Sequence, residues 1–382
     1  MRVILIRQKY HRKGGAENNL AILAQGLAEK GHEVRVLCRS YEKGPGDEVI
    51  EFGKITILPK PAFLRSMLFN RAVMLALKKE KYDIAHSFEL LTSQDIYRTS
   101  GGCARSWNRV LEQLRPGLAG KIGVYARVYR LLEQEREKKV LAGGGCGKII
   151  AISSRVKQEL VSSYGVPGEK VEIIYNGAEL EKFNPSKKGA ARKEYKIKYG
   201  LAEDDFLVLF SGSGFERKGL STLIRAVGLL SKEKKLKLLV AGHGKKARWL
   251  REAAKHCPGR VIFAGMVNEM EKAYAAADLF VLPSFYEPFG SSVLEALSAG
   301  LPVIVSRQCG ASEIIEDGKN GLIVEDPGNP AELAGRIRLV FDGGLRNRLK
   351  IESRKLAETY SSRRYVEATI KVYEAYLKEK NG

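Results

Sequence analysis

Apolar residues in this chain fall into two recurring patterns. Short runs such as Val3–Ile6, Val34–Cys38 and Leu207–Ser211 are almost wholly apolar. Between such runs lie stretches whose apolar positions return every three or four residues, as at Leu20, Leu23, Ala24 and Leu27. The short runs read as strands buried on both faces, and the longer period reads as helices with one buried side. Alternation of the two predicts an α/β protein with parallel sheets, because parallel neighbours need a crossover and that crossover is usually a helix.

In the first half the predicted strands are Val3–Ile6, Val34–Cys38, Tyr82–His86 and Ile149–Ile152, with a helix over Ala16–Lys30 closed by Gly31. Ser153 precedes Ser-Arg-Val-Lys-Gln-Glu-Leu and reads as a helix cap, its hydroxyl placed to accept from a free first-turn amide. The second half predicts five strands, Leu207–Ser211, Leu236–Ala241, Val261–Ala264, Leu279–Leu282 and Val303–Ser306, separated by helices. Turn chemistry and composition change over Tyr175–Pro185 and the Lys-rich stretch after it, which sets the hinge near residue 173. Two doubly wound domains in tandem are expected, with ligand crevices at the carboxyl ends of strands facing the cleft between them.

Composition narrows the class. A chain of 382 residues has room for two cores, and 44% apolar with 29% charged residues excludes a disordered chain, a collagen or a disulfide mini-protein. No apolar run approaches the roughly 20 residues of a spanning helix, and Met1–Arg7 is too short an apolar stretch for a signal peptide. Cys38, Cys103, Cys146, Cys257 and Cys309 are odd in number and scattered, which fits a reducing cytoplasm. The net charge of +21 demands a polyanionic partner. That excess is uneven: +12 in residues 1–172, +4 in 173–345 and +5 in 346–382. One stretch concentrates it, with Arg105, Arg109, Arg115, Lys121, Arg127 and Arg130 against the single acid Glu112, and Trp107, Tyr125 and Tyr129 between them. It reads either as a solvated helical face or as a segment lying on anionic lipid.

Three constellations carry chemistry. Lys13-Gly14-Gly15-Ala-Glu17 follows the first strand and opens the first helix, where paired glycines and free amides can approach a phosphate or simply make a βα turn. Ser211-Gly212-Ser-Gly-Phe-Glu-Arg217-Lys218-Gly219 is a Gly-rich loop after a strand, with a bidentate and a mobile cation immediately behind it. It matches neither GxxxxGK[ST] nor GxGxxG. The third is Leu282-Pro-Ser-Phe-Tyr-Glu287-Pro-Phe289-Gly290-Ser291-Ser292-Val-Leu-Glu295. Here Ser291 and Ser292 open a helix and can donate to phosphate, while Glu287 and Glu295 sit within about 10 Å on one βα corner. Carboxylates are good acceptors for vicinal sugar hydroxyls. Taken singly, each reads equally as a capping acid or a solvated helical Glu.

Together these motifs resemble the retaining GT4-type glycosyltransferases of the GT-B fold. The resemblance rests on Glu287 and Glu295 with seven residues between them in Glu-Pro-Phe-Gly-x4-Glu-Ala, on Ala299-Gly-Leu-Pro-Val303 and Gly310-Ala-Ser-Glu-Ile314, and on Phe210-Ser-Gly…Arg-Lys-Gly219 with Ala264-Gly-Met266. Gly-Gly-Ala-Glu, Asp83-Ile-Ala-His86 and Tyr175-Asn-Gly177 extend it over almost the whole chain. Within the family, the 212–219 loop, Asp95-Ile-Tyr97 with Cys103, and the basic-aromatic 105–130 segment resemble the lipopolysaccharide-core glucosyltransferases. Many relatives carry a His-Asp pair near the N-domain loop where this chain has Ser100-Gly-Gly-Cys103, so that role cannot be carried over.

The resemblance implies two Rossmann-like domains: 1–172 plus 362–382, binding the acceptor, and 173–361, binding the donor. The amphipathic stretch Tyr365–Lys380 would be the last helix crossing back to the first domain. It implies a nucleotide-diphosphate sugar as co-substrate, with UDP-glucose as the expected donor, and no other cofactor and no metal, since neither a DxD nor a His cluster is present. Uracil would lie at Met266–Val267, Glu295 would accept ribose hydroxyls, and Glu287 would hold hydroxyls of the transferred sugar. Arg217, Lys218, the amides after Gly290 and those of Gly14–Gly15 would stabilise the departing diphosphate. Retention leaves two routes, a covalent Glu intermediate or front-face attack, and the latter is favoured because Glu287 is better explained as a hydroxyl ligand. The implied acceptor is a lipopolysaccharide-core heptose or similar phosphorylated glycolipid, met by a peripheral enzyme at the inner face of the cytoplasmic membrane. Mannosyl or N-acetylglucosaminyl transfer is the alternative. Nucleic acid is excluded as a partner by the lack of any recognition helix or RNP signature.

Overall fold

Residues 1–11, 14–57, 62–114, 124–230, 232, 235–244 and 246–382 are described by a computed structural model, and they form two compact units, Met1–Gly177 with Ser362–Gly382 and Ala178–Ser361. The first unit runs β1 (Arg2–Ile6), β2 (Lys9–Tyr10), α1 (Gly15–Glu29), β3 (Glu33–Cys38), β4 (Ser40–Tyr41), β5 (Glu51–Lys54), α2 (Ala62–Leu77), β6 (Ile84–Ser87), β7 (Gln94–Arg98), α3 (Ala104–Leu114), α4 (Val124–Ala142), β8 (Cys146–Ala151), α5 (Ser154–Tyr164) and β9 (Val171–Ile173). The second runs α6 (Lys188–Tyr199), β10 (Phe206–Ser211), α7 (Leu220–Leu229), β11 (Leu236–Ala241), α8 (Lys246–His256), β12 (Val261–Gly265), α9 (Met270–Ala276), β13 (Leu279–Leu282), α10 (Ser291–Ser298), β14 (Val303–Ser306), β15 (Leu322–Val324), α11 (Pro330–Leu339) and α12 (Gly343–Thr359). The last helix, α13 (Ser362–Asn381), belongs to the first unit.

Both large sheets are parallel and doubly wound. Strand order is β5-β3-β1-β6-β7-β8-β9 in the first and β12-β11-β10-β13-β14-β15 in the second. Each starts at a central strand, winds outward one way, then returns to wind the other way. The reversal falls between β1 and β6 and between β10 and β13, and a crevice opens at the carboxyl ends of such strand pairs.

Side-chain alternation along β1 builds the first core. Val3 and Leu5 pack with Leu20, Leu23, Leu27, Val366 and Tyr373 of α1 and α13, whereas Ile4 and Ile6 pack with Phe69, Val73 and Leu77 of α2. Helix α13 is held by polar bonds as well. The Tyr373 hydroxyl meets His86 Nδ1 at 2.5 Å, and Tyr376 donates to Asp95 Oδ1 at 2.8 Å. The buried Arg98 guanidinium lies 4.7 Å from the Tyr365 ring and donates to Asn176 Oδ1 at 2.8 Å. Burial, with Arg98 nearby, holds His86 well below its usual pKa, so the imidazole is neutral. Its Nε2 already has no partner among the described residues. Tyr373→Phe would strip Nδ1 too, at an expected cost of about 1–3 kcal/mol in denaturant unfolding.

The first crossing between units falls after Gly177, five residues beyond the expected 172. The physical reason is local: β9 pairs with β8 as the last strand of the first sheet, Asn176 is tied to Arg98, and Gly177 packs against Ser362 Cα. The expected cap at Ser153 is present, its hydroxyl accepting from Val156 N at 3.2 Å.

The basic 105–130 segment divides into α3 and the start of α4. Arg115 and Lys121 lie outside the described residues, as does the Arg127 side chain. No residue of α3 is buried, and Arg105 and Arg109 are exposed. Arg105 donates to Ser163 O at 2.9 Å, and Glu137 of α4 accepts from Ala104 N at 3.0 Å, which fixes the start of α3. Val128, Leu131 and Leu132 on α4 and Leu64, Met67 and Leu68 on α2 are exposed, and Arg136 joins these helices by donating to Ser66 Oγ. No helix among the described residues is long and apolar enough to cross a membrane.

Candidate active site

The second sheet's reversal point brings two βα corners together. After β10 the chain turns through Gly212, Gly214 and Gly219, all at positive φ (+128°, +75° and +75°). At Gly219 a backbone neighbour makes glycine a requirement, whereas at Gly212 the neighbour is the end of a lysine side chain. A Cβ on Gly212 would stand 2.6 Å from Lys218 Cε, and one on Gly219 would stand 1.9 Å from Pro283 O. After β13 the second corner presses on the first, and Phe285 N donates to Arg217 O at 2.8 Å.

Where the corners meet, two cations converge on one carboxylate oxygen. Lys218 Nζ lies 2.7 Å and Arg217 Nη1 3.1 Å from Glu287 Oε2. Arg217 Nη1 also donates to Tyr286 O at 2.5 Å. The backbone of Glu287 is clamped against the loop after β14, receiving Gly310 N on its carbonyl at 2.8 Å and donating its amide to Gln308 O at 3.2 Å. Burial would raise the Glu287 carboxyl, but the charges and hydrogen bonds of Lys218 and Arg217 outweigh it and hold it below the usual range. Two cations against one anion leave a net positive centre, suited to an incoming diphosphate.

Gly290, at φ +98°, turns the chain into α10, with Cys309 Sγ and Glu287 Cγ packed against it. Ser291 and Ser292 form the first turn, and the buried Ser292 hydroxyl has no partner among the described residues. Phe289 is buried, so what it offers a ligand is backbone rather than ring. Met266 follows β12 and is 60% exposed, with Val267 partly buried beside it.

Glu295 lies on α10, and Tyr274 of α9 donates to its Oε2 at 2.8 Å. Burial pushes the Glu295 carboxyl up to about 7, with Tyr274 and the charges of Lys182 and Lys218 pulling the other way and Glu179 adding to the rise. Lys218 therefore lies within electrostatic reach of both glutamates, whose ionisation shifts in opposite directions. The linkage signs follow. Glu287 adds stability above its unfolded pKa that is withdrawn as pH falls, whereas the Glu295 contribution is complete below about pH 4.5 and fades as pH rises to about 7.

The Gly14–Gly15 turn belongs to the first unit. Gly14 caps α1 in an extended conformation, Gly15 is its first residue, and the Glu17 carboxylate lies over Gly14 while pairing with Arg7 at 2.8 Å. Lys13 lies outside the described residues. Sequence reasoning did not single out Tyr274 or the backbone clamp that Gln308 and Gly310 place on Glu287. Tyr274 stands among alanines in a short helix and reads as core, and the clamp works through its backbone, which leaves no side-chain signal.

A doubly wound sheet carrying paired cations, two carboxylates and a helix start at its reversal point has the chemistry suited to phosphorylated, hydroxyl-rich ligands. Comparison with known proteins narrows the class. The family profile "Glycosyltransferase Family 4" matches residues 13–182 and "Glycosyl transferases group 1" matches 191–356. An uncharacterized glycosyltransferase of Methanocaldococcus jannaschii is 29% identical over 98% of both chains. The lipopolysaccharide glucosyltransferase WaaG of Escherichia coli is 26% identical over 85% of both, and a D-inositol 3-phosphate glycosyltransferase of Paenarthrobacter aurescens is 27% identical over 86% of this chain and 85% of its own. The crystal structure of WaaG superposes with a TM-score of 0.82 at 24% identity, covering 97% of this chain and 99% of that one. The Anabaena protein HepE, solved in complex with UDP-glucose, gives 0.72 at 18% identity over 98% and 100%. This chain belongs to the GT4-type glycosyltransferases of the GT-B fold.

Proposed function

We propose that this enzyme transfers a hexose, with retention and without a metal, from UDP-glucose to a phosphorylated glycolipid. The observation that carries the reading is the convergence of Lys218 and Arg217 on Glu287 Oε2 at the carboxyl end of β10 and β13. As the bond from the anomeric carbon to UDP breaks, negative charge grows on the diphosphate. Two buried-side cations and the amides opening α10 are fixed to receive that charge, the work a divalent ion performs elsewhere. Met266–Val267 would read the uracil, Glu295 the ribose hydroxyls, and Glu287 the hydroxyls of the hexose. An acceptor hydroxyl then attacks from the face that UDP leaves, and a phosphate oxygen takes its proton. The HepE structures with UDP and UDP-glucose support the choice of donor.

Similarity to WaaG supports a lipopolysaccharide-core heptose, or a similar glycolipid, as acceptor. The +12 charge of residues 1–172 and the exposed apolar side chains of α2 and α4 support peripheral binding to the inner face of the cytoplasmic membrane. The inositol-phosphate relatives favour a second reading, in which a phosphorylated polyol accepts the sugar.

The test is a panel of UDP- and GDP-sugars with heptose-containing core, glycolipid and inositol-phosphate acceptors, read by mass spectrometry, with anomeric configuration read by NMR. UDP-glucose consumption with an α-linked product is expected. A GDP-sugar preference or an inverted product contradicts the reading. Separately, neutralising Arg105, Arg109, Arg115 and Arg127 is expected to abolish most co-sedimentation with anionic vesicles while UDP binding survives. Unchanged sedimentation would remove the lipid surface from the account.

A further inference from the structure

Glu295 has three side-chain torsions and, as an untethered helix residue, would sample several rotamers. Ordering such a side chain costs conformational entropy, which a ligand must otherwise supply. Here the ordering is built in. Tyr274 is 1% exposed, its ring set edge-on to Phe183 and tilted against Phe280, both at 5.6 Å between centroids. Its hydroxyl donates to Glu295 Oε2 at 2.8 Å. Ser211, the last residue of β10, is within hydrogen-bonding reach of the same hydroxyl. Burial, with Glu295 nearby, holds the phenol well above its ordinary pKa, so Tyr274 is always a donor. Tyr274, bonded to Glu295 and close to Ser211, therefore stands between the root of the loop that carries Arg217 and Lys218 and the acidic residue of α10.

We propose that Tyr274 is a positioning residue for the donor, fixing the Glu295 carboxylate through Oε2 so that Oε1 and the remaining lone pairs receive the ribose diol. An ionised carboxylate offers about four acceptor sites, so one bond from Tyr274 leaves enough for two hydroxyls. This rests on the reading of Glu295 as the ribose ligand. The groups facing Glu295 are Tyr274 on α9, Lys182 and Glu179 in the segment before α6, and Lys218 in the loop after β10. Because ionised Glu295 accepts better, donor affinity rises as pH passes through about 7. Losing the Tyr274 bond withdraws one stabiliser of the carboxylate and moves that rise to higher pH.

The experiment is calorimetric titration of UDP-glucose into the full chain from pH 5.5 to 8.5, with Tyr274→Phe, Ser211→Ala and Glu295→Gln, alongside donor KM and kcat. Tyr274→Phe is expected to weaken UDP-glucose about tenfold at pH 7, raise KM with kcat within about threefold, and displace the pH midpoint upward. Ser211→Ala is expected to give a smaller shift of the same sign, and it keeps the test open if the first variant unfolds. Glu295→Gln is expected to weaken binding and flatten the pH profile. Weak binding in Glu295→Gln with wild-type affinity and midpoint in Tyr274→Phe overturns the positioning role alone. Wild-type affinity in Glu295→Gln overturns the ribose reading itself.

Discussion

Replacing Lys218 with Met is expected to lower kcat/KM for the nucleotide sugar by about 10²–10³-fold with the second unit still folded. The magnitude is that of removing one fixed donor from a site that stabilises developing negative charge. Met keeps most of the stem over Gly212, whose missing Cβ leaves room for it. Glu287 keeps Arg217 at 3.1 Å, so its buried carboxylate is not stranded. The double variant Lys218→Met with Glu287→Gln separates the possibilities. If Lys218 only neutralises Glu287, its removal costs no further turnover once Glu287 is already Gln. The expected result is recovered stability with turnover well below that of Glu287→Gln alone, measured by denaturant midpoint and steady-state kinetics on one preparation.

Gly219→Ala is expected to destabilise the second unit by about 3 kcal/mol or more and to abolish donor binding. Two costs combine: a φ of +75° that an L side chain rarely adopts, and a Cβ that would stand 1.9 Å from Pro283 O. Relief requires the β10 and β13 corners to separate, which pulls Arg217 and Lys218 away from Glu287. Gly200 is the control. It also has positive φ, at +60°, but nothing within 4 Å of its Cβ position. Gly200→Ala is therefore expected to cost about 1–2 kcal/mol from backbone strain alone, with donor binding unchanged. Denaturant unfolding and UDP titration of the two variants check both halves. Equal losses for both would mean that the corner contact carries no weight.

Much of the architecture was written in apolar runs. Leu207–Ser211, Leu236–Ala241, Leu279–Leu282 and Val303–Ser306 are legible as strands because parallel sheets covered on both faces leave few polar positions to blur the pattern. The strands that escaped are polar or short. Gln94–Arg98 carries no apolar run, yet Gln94 and Arg98 are buried and β7 pairs with β6 and β8 on either side. Glu51–Lys54 is an edge strand with no buried residue, and Leu322–Val324 has only three residues. The site divides in the same way. Arg217, Lys218, Glu287 and Glu295 announced themselves by residue type and spacing, and the structure gathers them around two adjacent corners. Their supports did not, because Tyr274 acts through one hydroxyl on a core ring and Gln308–Gly310 act through backbone groups.

The central claim is that the nucleotide sugar lies on the second unit at the reversal point of its sheet. Photolabelling with a UDP-glucose analogue bearing an azide on the uracil ring tests it most directly. Labelled peptides are expected to cover Met266 and Val267, with labelling suppressed by excess UDP and lost in Lys218→Met. Label confined to residues 1–177, or label that UDP does not displace, would contradict the account.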